Sequence, residues 1–501
     1  MDEDLKFLYK AQKEIYLLEG IEALLDWDLD TSMPSKATSS RSEQFDILQG
    51  IIKEKLCSKD LLDTIERLKS KKISNNDLVI LKELEKKIEK ENKIPVKHTK
   101  EICKAIIDGQ EKWEEALKNK NFDILLPYLN NIIELKKKEV SYIKDKSMNN
   151  YDVLVNEYEE GMNSERLDQI FDYLKPRLKD LLKLIRESKK YKEIRPFKVS
   201  LNKKDTEDII LDLFRTFGIS KDKISLKTSQ HPFTTRISRN DIRVTANFSR
   251  PIDSFFAAFH ELGHALYELG LPLRYNNTPL YGSASFGLDE AQALFFEFIV
   301  GRSEPFWKNY FFIFRKSIKE NITWKEFYSS INRIDSSKIR RNTDEVNYCL
   351  HIILRYEIEK DLINDKIKAK DIKEIWNQKS KEILGFIPKD DKDGILQDIH
   401  WATGDIGYFP SYAIGMIYAT QIYSQIRKEI TDFDSKVERQ EFREIIEWLN
   451  QKIYSKGRSK TAEHIIRSIT GKDLEPKELI RYLYEKYSKI YAFEYDINNI
   501  L

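Results

Sequence analysis

Apolar residues three and four positions apart, set among Lys and Glu, recur along most of this chain and predict amphipathic helices. The pattern covers residues 2–25, 40–56, 76–93, 98–120 and 123–147, then 164–189, 204–217, 305–321, 344–364 and 371–385. The last third adds 408–430, 437–455, 459–469 and 475–490. One stretch differs: Thr234 to Thr245 alternates about a polar Ser238-Arg239-Asn240-Asp241 turn, which predicts a β-hairpin. Breaks near 31–39, 190–203, 270–288 and 386–394 read as loops, since no repeat, low-complexity tract or clean boundary divides the chain. With 17 Gly and 13 Pro in 501 residues, little material exists for a turn-rich β architecture. The expected fold is therefore mainly α, one large multi-helical body over 1–501 with a central cleft. Residues 1–200 form its N-terminal helical part, and residues 201–501 carry the cleft and the small β element.

The chemistry is concentrated in His260-Glu261-Leu262-Gly263-His264. Positions i and i+4 of a helix share a face, so both imidazoles can reach one zinc ion, with Glu261 beside its water. Pro251, Asp253 and Ser254 suit a helix start, Phe255, Phe256, Phe259, Leu262 and Leu266 give it a buried side, and Gly270 and Pro272 end it. Catalytic zinc usually takes three protein ligands. Glu268, one turn further on, would point past the ion and reads as a solvated charge. Asp289, Glu290 and Glu297, on a second apolar stretch from Gly287, compete for the third position.

Several further motifs accompany this one. They are His231-Pro232-Phe233, Asp241-Ile242-Arg243-Val244-Thr245, Ile339-Arg340-Arg341-Asn342-Thr343-Asp344, and Gly394-Ile395-Leu396-Gln397-Asp398-Ile399-His400-Trp401. Gly407-Tyr408-Phe409-Pro410-Ser411-Tyr412, Trp27-Asp28 and Met33-Pro34 add to the set. Together they resemble the M32 family of thermostable-type metallocarboxypeptidases, from about residue 20 to beyond residue 430. The resemblance implies the same helical shape, a homodimer, and one Zn2+ per chain held by His260, His264 and Glu290, with Co2+ or Mn2+ as possible substitutes. It implies release of C-terminal amino acids from peptides by attack of metal-activated water, with Glu261 as general base.

The free carboxylate of such a substrate calls for an Arg clamp; family position offers Arg340 and Arg243, with an ordinary ion pair as the rival role of each. His231, His400 and Tyr412 are candidates to hydrogen-bond substrate or oxyanion, against a satisfied core role, with Tyr408 a weaker substitute for Tyr412. Two positions depart from the family pattern. Thr343 replaces Ala, and Asp289 stands where the family usually has His before the ligand Glu. Asp289 either caps a helix, the favoured reading, or accepts a hydrogen bond from a ligand histidine. Two rival functions remain: a related oligopeptidase cutting internal bonds, and a peptide-binding homologue that has lost turnover.

Composition changes the picture in one respect, the compartment. Charges nearly cancel at +2, so no global field calls for nucleic acid or an acidic membrane. Cys57, Cys103 and Cys349 offer neither a disulfide framework nor a Cys-based metal site. The acidic start lacks a signal-peptide core, and no apolar run spans a bilayer. The expectation is a cytoplasmic enzyme acting on peptides with a free C-terminus, without membrane or nucleic-acid partners.

Overall fold

The computed structural model describes residues 2–145, 147–220, 222–229, 232–335 and 338–501. Helices dominate it, as the periodicity predicts, and short polar residues start many of them. Ser74, Asn163, Asn202, Ser285, Ser303 and Asp344 each accept a backbone N–H two or three residues on. The first helix runs further than expected, Glu3–Thr31, and so includes Trp27 and Asp28. The expected helix over 437–455 is broken: Gln440 takes a left-handed φ of 61° between helices Phe433–Glu438 and Arg443–Lys452. Helices Lys59–Lys69 and Asn150–Tyr158 were not anticipated.

The hairpin forms, but as part of a three-stranded sheet. Strands β1 (Ile224–Thr228), β2 (Thr234–Ser238) and β3 (Asp241–Ala246) lie in the order β1-β3-β2. β3 is central, antiparallel to β2 and parallel to β1, with Leu226 opposite Val244 and Thr234 opposite that same residue on the other side. The first helix crosses β2 so closely that a Cβ on Gly20 would overlap the Ile237 carbonyl oxygen, at 2.5 Å.

Among the described residues the buried apolar side chains form one large core and two smaller ones, the least of them Ile102, Ala105 and Ile132. Leu8, Ile15, Ile52, Leu61, Ile65, Leu81 and Leu84 form a small one within the first helices. The main core surrounds helices Glu345–Ile363 and Phe409–Glu429, which are buried on nearly every side. Such central helices hold side chains rigidly, and both contribute to the site described next. Among the described residues, no helix is long and apolar enough to cross a membrane.

Candidate metal centre

The motif helix, Pro251–Gly270, begins with Pro251 in its first turn and is anchored by Ser254, whose hydroxyl donates to the carbonyls of Asn247 and Arg250. Phe255 and Phe259 bury its inner side among Phe217, Phe306, Trp307 and Tyr310. Gly263 brings it against the next helix, Phe286–Leu294: a Cβ there would sit 2.5 Å from the Cα of Ala293. From the opposite side Gly415, on helix Phe409–Glu429, meets Glu290, where a Cβ would lie 2.8 Å from Glu290 Cγ. Two glycines thus let three helices close around one carboxylate.

Glu290 Oε2 lies 3.7 Å from His260 Nε2 and 3.9 Å from His264 Nε2. These gaps are too long for hydrogen bonds, but donors about 2.1 Å from a shared ion can stand up to about 4.2 Å apart. Among the described residues these three offer one donor each within 4.8 Å of one another. Two imidazoles and a carboxylate form a donor set suited to a divalent metal such as zinc, and it leaves room for a further ligand.

Each donor is held from behind. His260 Nδ1 lies 3.1 Å from Glu297 Oε2, and Arg302 in turn donates to Glu297. His264 Nδ1 lies 3.0 Å from Asp289 Oδ2. Tyr348 Oη donates to Glu290 Oε1 at 3.1 Å. Helix Phe286–Leu294 widens into a π turn over Phe295–Val300, and Glu297 lies on that turn. Asp289 is therefore not the expected cap. Ser285 fills that position, and Asp289 faces the His264 imidazole instead. Glu297 meets the far nitrogen of His260, and the group of converging donors is His260, His264 and Glu290.

Four carboxylates around two imidazoles make this a strongly negative site. Burial opposes charge on His264, but Asp289, Glu261 and Glu290 outweigh it and push its pKa up to about 10. His260 is raised for the same reason, burial being overcome by Glu290 and Glu297. Burial raises the Glu261 carboxyl, and the two histidines and Thr234 partly offset it. The Thr234 hydroxyl donates to Glu261 Oε2 at 2.7 Å, a restraint that the sequence reading did not single out.

A cavity of about 580 Å³ opens at these groups, lined by His260, Glu261, Glu290, Arg340, Tyr348 and Tyr412 among others. Arg340 is buried and donates from Nε and Nη2 to Asp398 Oδ1 at 3.0 and 2.9 Å. Arg355 donates to the other oxygen of Asp398 at 2.7 Å. The two guanidiniums overcome burial and hold the Asp398 carboxyl well below its usual range. Tyr412 lies against Arg340, with His400 behind it: His400 Nε2 is 3.1 Å from Tyr412 Oη. Burial and Arg340 push the His400 pKa down to about 3, so the ring is neutral, and burial pushes Tyr412 up to about 12. His400 thus supports Tyr412 and does not itself line the cavity.

Two expectations need correction. Arg243, on β3, is ion-paired with Asp241 and stacked over Trp27 at 5.0 Å, outside the cavity that Arg340 lines. Glu268 is not a solvated charge, because Arg236 of β2 pairs with it and fixes the strand to the last turn of the motif helix. His231 lies outside the described residues.

Similarity to known proteins extends over nearly the whole chain. Residues 7–487 match the family described as "Carboxypeptidase Taq (M32) metallopeptidase". "Carboxypeptidase 1" of Bacillus subtilis is 34% identical over 499 residues, covering 97% of this chain and 98% of that protein. "Thermostable carboxypeptidase 1" of Pyrococcus furiosus is 32% identical over 496 residues, covering 97% and 99%. The crystal structure of an M32 carboxypeptidase from Deinococcus radiodurans R1 superposes with a TM-score of 0.92 at 28% identity, covering 98% of this chain and all of that one. The chain belongs to the M32 family of metallocarboxypeptidases.

Proposed function

We propose that this metallocarboxypeptidase uses zinc held by His260, His264 and Glu290, with Glu261 as general base and Arg340 as the clamp for the substrate's free carboxylate. The observation that carries the reading is the convergence of the three donors on one point, each backed by its own partner, beside a carboxylate that is not a ligand. When bound, the ion supplies a Lewis acid that acidifies water toward pKa ~7 and polarises a peptide carbonyl.

The residues do the rest. Glu261, turned by Thr234, accepts a proton from the attacking water and passes it to the departing amine. Tyr412, braced by His400, offers its hydroxyl to the oxygen that gains charge. Arg340 binds the terminal carboxylate because one carboxylate, Asp398, shared between two guanidiniums leaves an excess of positive charge at the cavity wall. That excess favours an exopeptidase over the rival that cuts internal bonds, which has no use for it.

The reading extends to a cytoplasmic homodimer. Cys57, Cys103 and Cys349 are free thiols, in keeping with a reducing compartment, and the first two helices expose Leu17, Ile21, Ile47 and Ile51, a surface a second copy would cover.

The test compares one peptide as free acid and as C-terminal amide, with and without chelator, following products by mass. Stepwise loss of C-terminal residues from the acid alone, abolished by chelation, is expected. Equal cleavage of the amide would overturn the clamp, and chelator-resistant cleavage would overturn the metal.

A further inference from the structure

Helix Phe286–Leu294 is buried at every position except Phe286 and Asp289. Asp289 faces His264. Phe286 is 44% exposed, although it stands only one helical turn before Glu290. Its ring is also the outer end of a row that begins at the metal donors. Tyr348, which donates to Glu290 at 3.1 Å, sets its ring 6.2 Å from that of Tyr412. Tyr412 lies 5.0 Å from Tyr408, and Tyr408 lies 5.4 Å from Phe286, each pair edge to face. Tyr158 closes the group, 5.2 Å from Tyr408 and 5.3 Å from Phe286. Tyr412, Tyr408 and Tyr158 are all half-buried. The row leads away from the clamp. Arg340 lies over Phe409 at 5.6 Å and Tyr412 at 4.7 Å. Burial raises both tyrosine hydroxyls; Tyr412 then feels Arg340 and Glu290, whereas Tyr408 feels Tyr412, Glu290 and Asp289. The cavity that Arg340 lines reaches Tyr412, and Tyr408, Phe286 and Tyr158 lie beyond its lining.

We propose that Phe286, Tyr408 and Tyr158 bind the side chain of the penultimate residue, making peptides with an aromatic residue at that position the preferred substrates. This rests on the reading of Arg340 as the carboxylate clamp and of Tyr412 as donor to the scissile carbonyl. The released residue then spans from Arg340 to the bond that breaks. The carbonyl beside Tyr412 belongs to the residue before it, which extends past Tyr412 away from Arg340, where the open rings stand. Half-covered rings set edge to face present a surface that a further ring can join in the same geometry, burying apolar area as it does so. An aliphatic side chain gains the area alone. Alanine leaves Phe286 in water, and a penultimate Asp is brought toward Asp289 and Glu290, which disfavours it.

The experiment measures kcat/KM of the metal-loaded enzyme on N-blocked peptides of one length, with a fixed terminal residue and Phe, Leu, Ala or Asp before it. That order is expected, with Phe over Ala by about tenfold and the ratio little changed by salt, because apolar contact is not screened. Phe286→Ala should bring the Phe-to-Ala ratio to within about threefold, and Phe286→Tyr should keep it. A ratio near one in the wild type overturns the proposal. So does a ratio that Phe286→Ala leaves alone, including the case where the variant alters sedimentation instead and so assigns the ring to a second copy of the chain. An equal loss on all four peptides also overturns it, because the ring then only supports the helix that carries Glu290. A second series fixes Ala before the terminal residue and varies the terminal residue itself between Phe and Ala. If Phe286→Ala lowers that ratio as far as the first, the rings hold the released residue and the proposal fails. Failure to trim any peptide of either series sinks the carboxypeptidase reading instead.

Discussion

Gly263→Ala is a one-methyl test of how the metal site is assembled. The added Cβ would sit 2.5 Å from the Cα and 2.6 Å from the N of Ala293, where ordinary contact begins near 3.4 Å. The obstructing atoms are backbone on both sides, so no rotamer change relieves the overlap. The Gln292 carbonyl oxygen is nearer still, at 2.4 Å, so helices Pro251–Gly270 and Phe286–Leu294 must part by roughly 0.8–1.0 Å, and they carry His260 and His264 on one side and Glu290 on the other. Metal–donor distances tolerate only about 0.2 Å, so the ion loses a ligand before the fold fails. Replacing a mid-helix Gly by Ala gains about 1 kcal/mol of helix propensity, while overpacking a core costs ~1–3 kcal/mol. The net change in stability is therefore modest and unfavourable, and the change in metal affinity is large, tenfold or more. Chelator competition gives the metal Kd, and thermal unfolding of metal-free protein reports the fold. A variant with wild-type Kd would refute the idea that this glycine sets the spacing of the ligands.

Other consequences are as direct. Glu261→Gln should keep the metal and lower kcat by about 10²–10⁴, read from metal analysis and peptide turnover together; activity within tenfold of wild type would remove Glu261 as base. Asp289→Asn should weaken metal binding by about 10–100-fold in a chelator titration, since His264 loses its carboxylate partner; an unchanged Kd would mean that Asp289 only fills space. In the metal-free protein, the folded pKa of His264, about 10, exceeds the ordinary value of 6.5. The stability this gives is fully present below pH ~6.5 and is lost as pH rises toward 10, so the melting temperature of metal-free protein should fall across that window. Metal must displace that proton, so apparent affinity should rise with pH over the same range, and a flat profile would contradict the charge balance.

Legibility differed from residue to residue. His260, Glu261 and His264 could be read because one helical turn brings them together, which needs no knowledge of the fold. Glu290 emerges from family position alone: Asp289 and Glu297 fit the sequence equally well, and only the packing at Gly263 and Gly415 sets Glu290 between the two imidazoles. Asp289 was favoured as a cap because Asp is a good one, but Ser285 begins the helix four residues earlier. Glu268 is misread because its partner, Arg236, comes from a strand that tertiary packing brings near, whereas Arg243 pairs with Asp241 two residues away, the ordinary ion pair that stood as its rival role. β1 was missed because Ile224-Ser225-Leu226-Lys227-Thr228 becomes a strand by pairing in parallel with β3, a partner outside any local pattern. Helix Lys59–Lys69, by contrast, could have been found, since Leu61, Ile65 and Leu68 are spaced for one face and Ser58 precedes them.

An anomalous difference map, collected from crystals on either side of the zinc absorption edge, asks most directly whether the three donors share one ion. A single strong peak per chain, about 2.0–2.2 Å from His260 Nε2, His264 Nε2 and a Glu290 oxygen, is the expected result. A peak that leaves Glu290 out, or no peak in crystals soaked with zinc, would contradict it.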